Sequence, residues 1–150
     1  MTLILFLICV KSIFSTEWDP NHFRLPGTVI PSHYEIDLKP YLDPEDQGES
    51  YTGTEIQHFD GISTVYFTAL EETSLLVLNS KYIDYKTLIV TNISKKDQNI
   101  PIVSYYTNDT HPNEYIYITL SQNLQIDNEY KLETTYTGYL KNDNFGFYIR

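Results

Sequence analysis

The segment YKLETTYTGYL, residues 130–140, decides the fold class of this chain. Its larger side chains recur at every second position, at Tyr130, Leu132, Thr134 and Tyr136, which is the period of a β-strand with one buried face. An α-helix would place its apolar residues three and four positions apart, and no stretch of the sequence keeps that spacing over three turns. The segment therefore predicts a strand, and the chain around it predicts no helix.

Further segments have the composition of strands, because they are rich in β-branched and aromatic residues and are separated by short polar stretches. They are residues 31–40, 59–67, 74–78, 87–93, 100–106 and 115–120. In the earliest of them Tyr34, Ile36 and Leu38 alternate with polar side chains, so we expect Tyr34 and Leu38 to point inward. Short strands at this spacing predict one all-β domain, an antiparallel β-sandwich.

The charge composition argues against a nucleic-acid partner. The 150 residues include 10 Lys and Arg against 20 Asp and Glu, which gives a net charge of -10, and the longest basic run is the pair Lys95-Lys96. Phosphate binding needs clustered cations, so we expect no nucleic-acid partner. We interpret the negative charge as a contribution to solubility.

The first residues are typical of a secretory signal peptide. Residues 1–15 read MTLILFLICVKSIFS, in which an apolar stretch from Leu3 to Val10 precedes small polar residues. The stretch is too short for a transmembrane span, which takes about 20 apolar residues. A buried strand or an unprocessed leader are the alternatives. Residues 16–23 then read as an extended lead-in, and residues 24–150 as the β domain.

Two sequons support an extracellular chain. Asn92-Ile93-Ser94 and Asn108-Asp109-Thr110 lie in polar surroundings, so Asn92 and Asn108 are predicted glycosylation sites. Cleavage of the leader would remove Cys9, the only cysteine, and would leave a chain without disulfides. Together these features predict a protein that is secreted or lies on the extracellular face of the plasma membrane.

Few residues of the sequence are candidates for metal binding or catalysis. His58 and Asp60 would share one face of a strand and could both contact a metal ion, but a metal site needs three or four ligands, and a polar approach to Gly61 is the favoured interpretation. The paired carboxylates lie in solvated, loop-like sequence, and no nucleophilic triad or phosphate loop is present. We therefore predict no catalytic, cofactor-binding or metal-binding residue. The tyrosines, which a carbohydrate platform could also use, are assigned mainly to the core.

The segment RLPGTVIPSHYEIDLKP, residues 24–40, closely resembles the opening of the N-terminal domain in the aminopeptidase N family of gluzincin zinc aminopeptidases. The resemblance continues to residue 150 through Phe59-x-Gly61, Tyr130-x-Leu132, Thr137-Gly138-Tyr139 and Gly146-Phe147-Tyr148. The residues that carry it are Arg24, Leu25, Pro26, Pro31, Tyr34, Gly61, Gly138, Gly146 and Tyr148. Their expected roles are structural: the prolines stiffen the start of the domain, and the glycines mark bends or close approaches. One departure is Asp127-Asn128, where the family often has a glycine in a turn.

The resemblance implies a saddle-like β-sandwich, incomplete at its C-terminal end and truncated before the catalytic domain. In that family, zinc and the motifs His-Glu-x-x-His and Gly-Ala-Met-Glu-Asn belong to a later domain, and neither motif occurs in this chain. The implied function is that of a non-catalytic structural domain without a cofactor. The implied partners are the downstream catalytic domain and the peptide substrates of the parent enzyme, with membrane association through that parent. The alternative is a free-standing secreted β-sandwich that binds a partner and has no peptidase activity.

Overall fold

The computed structural model describes residues 18–20, 23–42, 57–108 and 112–140. In these residues the only helix is a single 3-10 turn, Ile93–Lys95, so the all-β prediction is confirmed. The strands are β1 Val29–Tyr41, β2 His58–Ala69, β3 Thr73–Asn79, β4 Ile83–Asn92, β5 Gln98–Ile100, β6 Ile102–Asn108, β7 Tyr115–Leu124 and β8 Glu129–Tyr139. The proposed leader, Gly146 and Tyr148 lie outside the described residues.

The strands form two antiparallel sheets. The large sheet has the order β1-β2-β8-β4-β5, and the small sheet has the order β3-β7-β6. In the large sheet β8 is central, and Leu132 pairs with Val65 on one side and with Val90 on the other. The core lies between the sheets and includes Phe67, Leu76, Val90, Ile116, Ile118, Leu120, Leu124, Tyr130 and Leu132. The segment from which the fold class was predicted therefore lies at the centre of the sandwich.

The strand predicted at residues 100–106 is two strands, β5 and β6, which belong to different sheets. They are separated by Pro101, whose nitrogen carries no hydrogen and cannot donate to a ladder. The carbonyl of Pro101 accepts a hydrogen bond from the backbone of Ser121 at 2.9 Å, which ties the crossing point to β7. The chain thus leaves the large sheet and enters the small one at this proline.

Tyr34 and Leu38, which were expected to point inward, lie on the inner face of the large sheet but are not buried. Tyr34 pairs with Val65 and therefore lies on the face of the large sheet that holds the core. However, β1 is the edge of a five-stranded sheet, and the three strands of the small sheet do not reach across it. Tyr34, Ile36 and Leu38 are consequently 54%, 62% and 44% exposed.

The lead-in contributes to a second, smaller core on the outer face of the small sheet. Trp18 packs there against Tyr115 and Tyr117, with ring centroids 5.9 and 6.2 Å away. Its indole nitrogen donates to the carbonyl of Arg24 at 2.9 Å, and Asn113 donates to the carbonyl of Pro20 at 2.7 Å. The described part of the lead-in is therefore packed against the domain.

The turn between β7 and β8 forms without a glycine. Asp127 has φ of 62°, so the aspartate itself adopts the left-handed conformation that Asx residues tolerate better than most. Its backbone nitrogen donates to the carbonyl of Ala69 at 2.8 Å. This bond fastens the turn to the end of β2, which explains how the chain keeps the turn despite its departure from the family pattern.

Candidate functional site

The family motif at the start of the domain surrounds a cavity. Leu25, Pro26, Pro31 and Tyr34 all contribute to a cleft of about 120 Å³ between β1 and the small sheet. Its remaining walls are apolar side chains of β2, β3 and β8, together with Val29. Arg24, the first residue of the motif, holds Trp18 through its carbonyl. The motif therefore shapes the side of the sandwich where the two sheets diverge.

Next to this cleft lies an uncovered apolar surface, which we call the open face and define as Tyr34, Ile36 and Leu38. These side chains project from the inner face of the large sheet, with all three more than 40% exposed. Burial of large apolar side chains stabilises a protein by about 25 cal/mol for each Å² of apolar surface removed from water. The open face and the cleft together form an apolar candidate binding surface. Sequence reasoning missed it because the pattern of alternation alone does not show how far the opposing sheet extends.

Two glycine and aromatic pairs fix the contact between β2 and β8. Gly61 pairs with Tyr136, and Phe59 pairs with Gly138, so each ring lies over the glycine opposite it. The two rings meet edge to face, with centroids 6.3 Å apart and planes at 89°. A Cβ at either glycine would overlap the ring, so the close approach expected from the sequence is present at Gly61 and Gly138.

We predict that Gly138→Ala lowers the free energy of unfolding by about 1–3 kcal/mol, since the added methyl group must displace Phe59. Equilibrium denaturation in urea measures the loss. The double variant Phe59→Leu/Gly138→Ala provides the control, because a smaller side chain makes room for the methyl group. A double variant less stable than the sum of the two single changes would refute this steric explanation.

His58 and Asp60, the pair considered for metal binding, both contact other side chains. The His58 ring stacks on Tyr41 with centroids 4.7 Å apart. Both carboxylate oxygens of Asp60 accept hydrogen bonds, from Tyr41 at 3.2 Å and from Thr137 at 2.9 Å. Nowhere in residues 18–20, 23–42, 57–108 and 112–140 do three His, Cys, Asp or Glu residues come together as metal ligands. The described residues therefore do not fit the zinc ion of the family, and no chemical step is assigned to them.

Charged side chains of the sheets pair with close neighbours. Lys86 donates to Asp84 at 2.6 Å, and this hydrogen bond raises the pKa of Lys86. Lys131 lies 3.1 Å from Glu133, and the hydrogen bond to that carboxylate raises the pKa of Lys131 in the same way. A raised lysine pKa keeps the ammonium charged, which suits a surface ion pair rather than a general base.

The two sequons differ in their surroundings. Asn92 is 2% exposed, and its side-chain oxygen accepts a hydrogen bond from the backbone of Lys95 at 3.1 Å. It therefore caps the 3-10 turn and is buried in the folded chain. Asn108, in contrast, is partly exposed at the end of β6. A three-residue sequon carries no information about burial, so the sequence did not distinguish the two sites.

We predict that Asn92→Ala lowers the free energy of unfolding by about 0.5–2 kcal/mol, because the turn loses its cap. The mass of the secreted protein should change only by the difference between the two side chains. Thermal unfolding and intact mass measure the two effects. Asn92→Asp is the matched control, because it keeps the capping oxygen while removing the acceptor amide of the sequon. Loss of a whole glycan in both variants would contradict the assignment of Asn92 as a cap.

The described residues contain no helix long and apolar enough to cross a membrane.

Comparison with known proteins gives consistent matches. Residues 30–150 match the family described as the peptidase M1 N-terminal domain. The chain is 34% identical over 137 residues to aminopeptidase N of Canis lupus familiaris and 31% identical over 139 residues to aminopeptidase N of Homo sapiens, with 89% of this chain and 13% of each relative covered. It is 30% identical over 132 residues to the membrane alanyl aminopeptidase of Manduca sexta, with 87% of this chain and 13% of that protein covered. The chain thus spans about an eighth of these relatives, since 13% of each is covered.

Proposed function

Because the chain belongs to the peptidase M1 N-terminal domain family, we propose that it is the non-catalytic N-terminal domain of a zinc-dependent aminopeptidase that removes N-terminal amino acids from peptides. The family match over residues 30–150 is the observation that carries this proposal. The cleft adds a physical reason, because residues of the family motif are used there to shape an apolar surface and contribute no reactive group.

The proposed role is to support the catalytic domain of the same polypeptide. The open face and the adjoining cleft supply an apolar surface on one side of the sandwich. Contact with the rest of the parent polypeptide would remove that surface from water, which is favourable, and would fix the β domain beside the catalytic cleft. Zinc would be held by the later domain, which would also bind the peptide substrate.

We place the parent enzyme on the extracellular side of the membrane or in the secreted fraction. The apolar first residues and the sequon that begins at the partly exposed Asn108 support this location. The name of the Manduca sexta relative describes that protein as a membrane enzyme. Attachment to a membrane would be a property of the parent polypeptide.

The experiment that tests the proposal compares the chain alone with the polypeptide that carries it in its native source. Proteins from that source are separated by mass, and fractions containing peptides of this chain are assayed with amino-acid arylamides. We expect these peptides in a species far larger than 17.5 kDa, with hydrolysis that a zinc chelator abolishes. The chain expressed alone should hydrolyse none of the substrates, with or without added zinc.

Either of two results would overturn the proposal. If the peptides occur only in a species near 17.5 kDa, the chain is a free-standing secreted binding module. If the chain alone hydrolyses arylamides, it carries a catalytic group of its own. The control is a mock preparation from the same host without the chain, because any hydrolysis in it comes from a contaminating peptidase.

A further inference from the structure

Asn108, a predicted glycosylation site, is partly exposed and lies beside an exposed aromatic ring. Asn108 is the last residue of β6, and Tyr106 precedes it by two positions, so both side chains project from the same face of the strand. Across the ladder, Tyr106 pairs with Tyr117 and Asn108 pairs with Tyr115. These four positions lie on the outer face of the small sheet, the face against which Trp18 packs.

The ring of Tyr106 is supported on one side only. It stacks on Tyr117 with centroids 4.6 Å apart and planes at 9°, and Tyr106 is 58% exposed whereas Tyr117 is 8% exposed. Burial, and after it the proximity of Tyr106, raises the pKa of Tyr117, so Tyr117 stays neutral at physiological pH. The stack therefore presents the flat face of the Tyr106 ring to solvent.

A sugar attached to Asn108 would be within reach of that face. Two residues along a strand are separated by about 7 Å, which an asparagine side chain and one pyranose ring can bridge. The flat side of a pyranose carries C–H groups with partial positive charge, and an aromatic face carries the negative part of its quadrupole. The first N-acetylglucosamine is the pyranose closest to the protein, since it is bonded directly to the asparagine nitrogen.

We propose that Asn108 is N-glycosylated, that its first N-acetylglucosamine stacks on Tyr106, and that the folded protein carries no glycan at Asn92, which is buried. In the modification, a bond forms between the asparagine Nδ2 and the anomeric carbon of the sugar. The bond from that carbon to the diphosphate of a lipid-linked oligosaccharide breaks, and one amide proton leaves as the lipid diphosphate departs. The native modification rests on the extracellular location proposed above.

The test uses the full chain, produced in a eukaryotic secretory host and, without glycans, in bacterial cytosol. Glycopeptide mass spectrometry should find a glycan at Asn108 and none at Asn92. Trimming with an endoglycosidase that leaves one N-acetylglucosamine should keep the unfolding midpoint, whereas complete removal should lower it by about 2–4 °C. If the chain is not secreted alone, the same measurements are made on the parent polypeptide.

A double-mutant cycle separates stacking from a general effect of the glycan. In the secreted protein, Asn108→Gln should lower stability much less when Tyr106→Thr is already present than when it is absent. The two changes are then coupled. In the bacterial protein the coupling should vanish. Tyr105→Thr is the matched control, because Tyr105 is 48% exposed on the same strand but projects from the opposite face.

Three results would overturn the proposal: an unmodified Asn108, a glycan on Asn92 in folded protein, or equal coupling for Tyr105 and Tyr106. A glycan on host-made protein together with an unmodified native chain would contradict the extracellular location, and with it the native modification. That result would leave the peptidase family and the measured stacking unchanged. The failure of the location is therefore distinguishable from the failure of the geometry.

Discussion

Replacement of Tyr130 by alanine is expected to lower the free energy of unfolding by about 3–5 kcal/mol, the range for truncating a large buried aromatic side chain. Tyr130 is 1% exposed, and its ring stacks on Phe67 with centroids 5.7 Å apart and planes at 20°. Its hydroxyl accepts a hydrogen bond from the backbone of Gln125 at 2.8 Å. The substitution therefore opens a cavity between the sheets and also releases the start of the β7–β8 turn. Urea denaturation, analysed by linear extrapolation, measures the loss.

Two further variants divide that effect into its parts. Tyr130→Phe keeps the ring and loses only the acceptor, so it should cost about 1–2 kcal/mol. Tyr139→Ala, an exposed tyrosine near the end of the same strand, should cost less than about 1 kcal/mol. If Tyr130→Ala were no more destabilising than Tyr130→Phe, the ring would contribute nothing to the core. The placement of β8 at the centre of the sandwich would then be wrong.

The sequence predicted well those strands in which the alternating apolar side chains are also the buried ones. β8 has a neighbouring strand on each side and a second sheet above it, so Tyr130, Leu132 and Thr134 are buried at every second position. β1 shows a similar period, yet its apolar side chains are exposed. Alternation reports which face a side chain is on, whereas burial depends on how many strands the opposite sheet contains. That number is a property of the whole chain.

Contacts between distant segments set a second limit on prediction. Leu25, Pro26 and Tyr34 were predicted to be structural, and the structure places them around one cleft. The cleft also needs β3, which no local pattern connects to the motif. Trp18 lay in a segment without periodicity, so nothing in its neighbourhood indicated that it packs against β7. At Pro101 the missing N–H was visible in the sequence, but the change of sheet depends on where β7 and β4 lie.

The open face yields the functional prediction with the largest effect. In the parent enzyme that we propose, Ile36→Asp is expected to lower stability by about 3–5 kcal/mol, the cost of an uncompensated buried charge, because the rest of the polypeptide would cover this side chain. Since such a loss is a large part of a typical domain's stability, the yield of active secreted enzyme should fall at least tenfold. The yield is measured by arylamide hydrolysis per unit of total secreted protein, and stability by the temperature of half-inactivation.

Ile62→Asp is the matched control for this prediction. Ile62 is 58% exposed and Ile36 is 62% exposed, so the two isoleucines are nearly equal in accessibility within the chain. Ile62 pairs with Asp37 and Ile36 pairs with Ser63, which places them on opposite faces of the large sheet. Only the inner face continues into the apolar cleft, so only Ile36 should become buried in the parent enzyme. If both variants reduced the active yield equally, the charge itself would be the cause. If neither did, the open face would be solvent-exposed in the parent, and the catalytic domain would contact another surface of the sandwich.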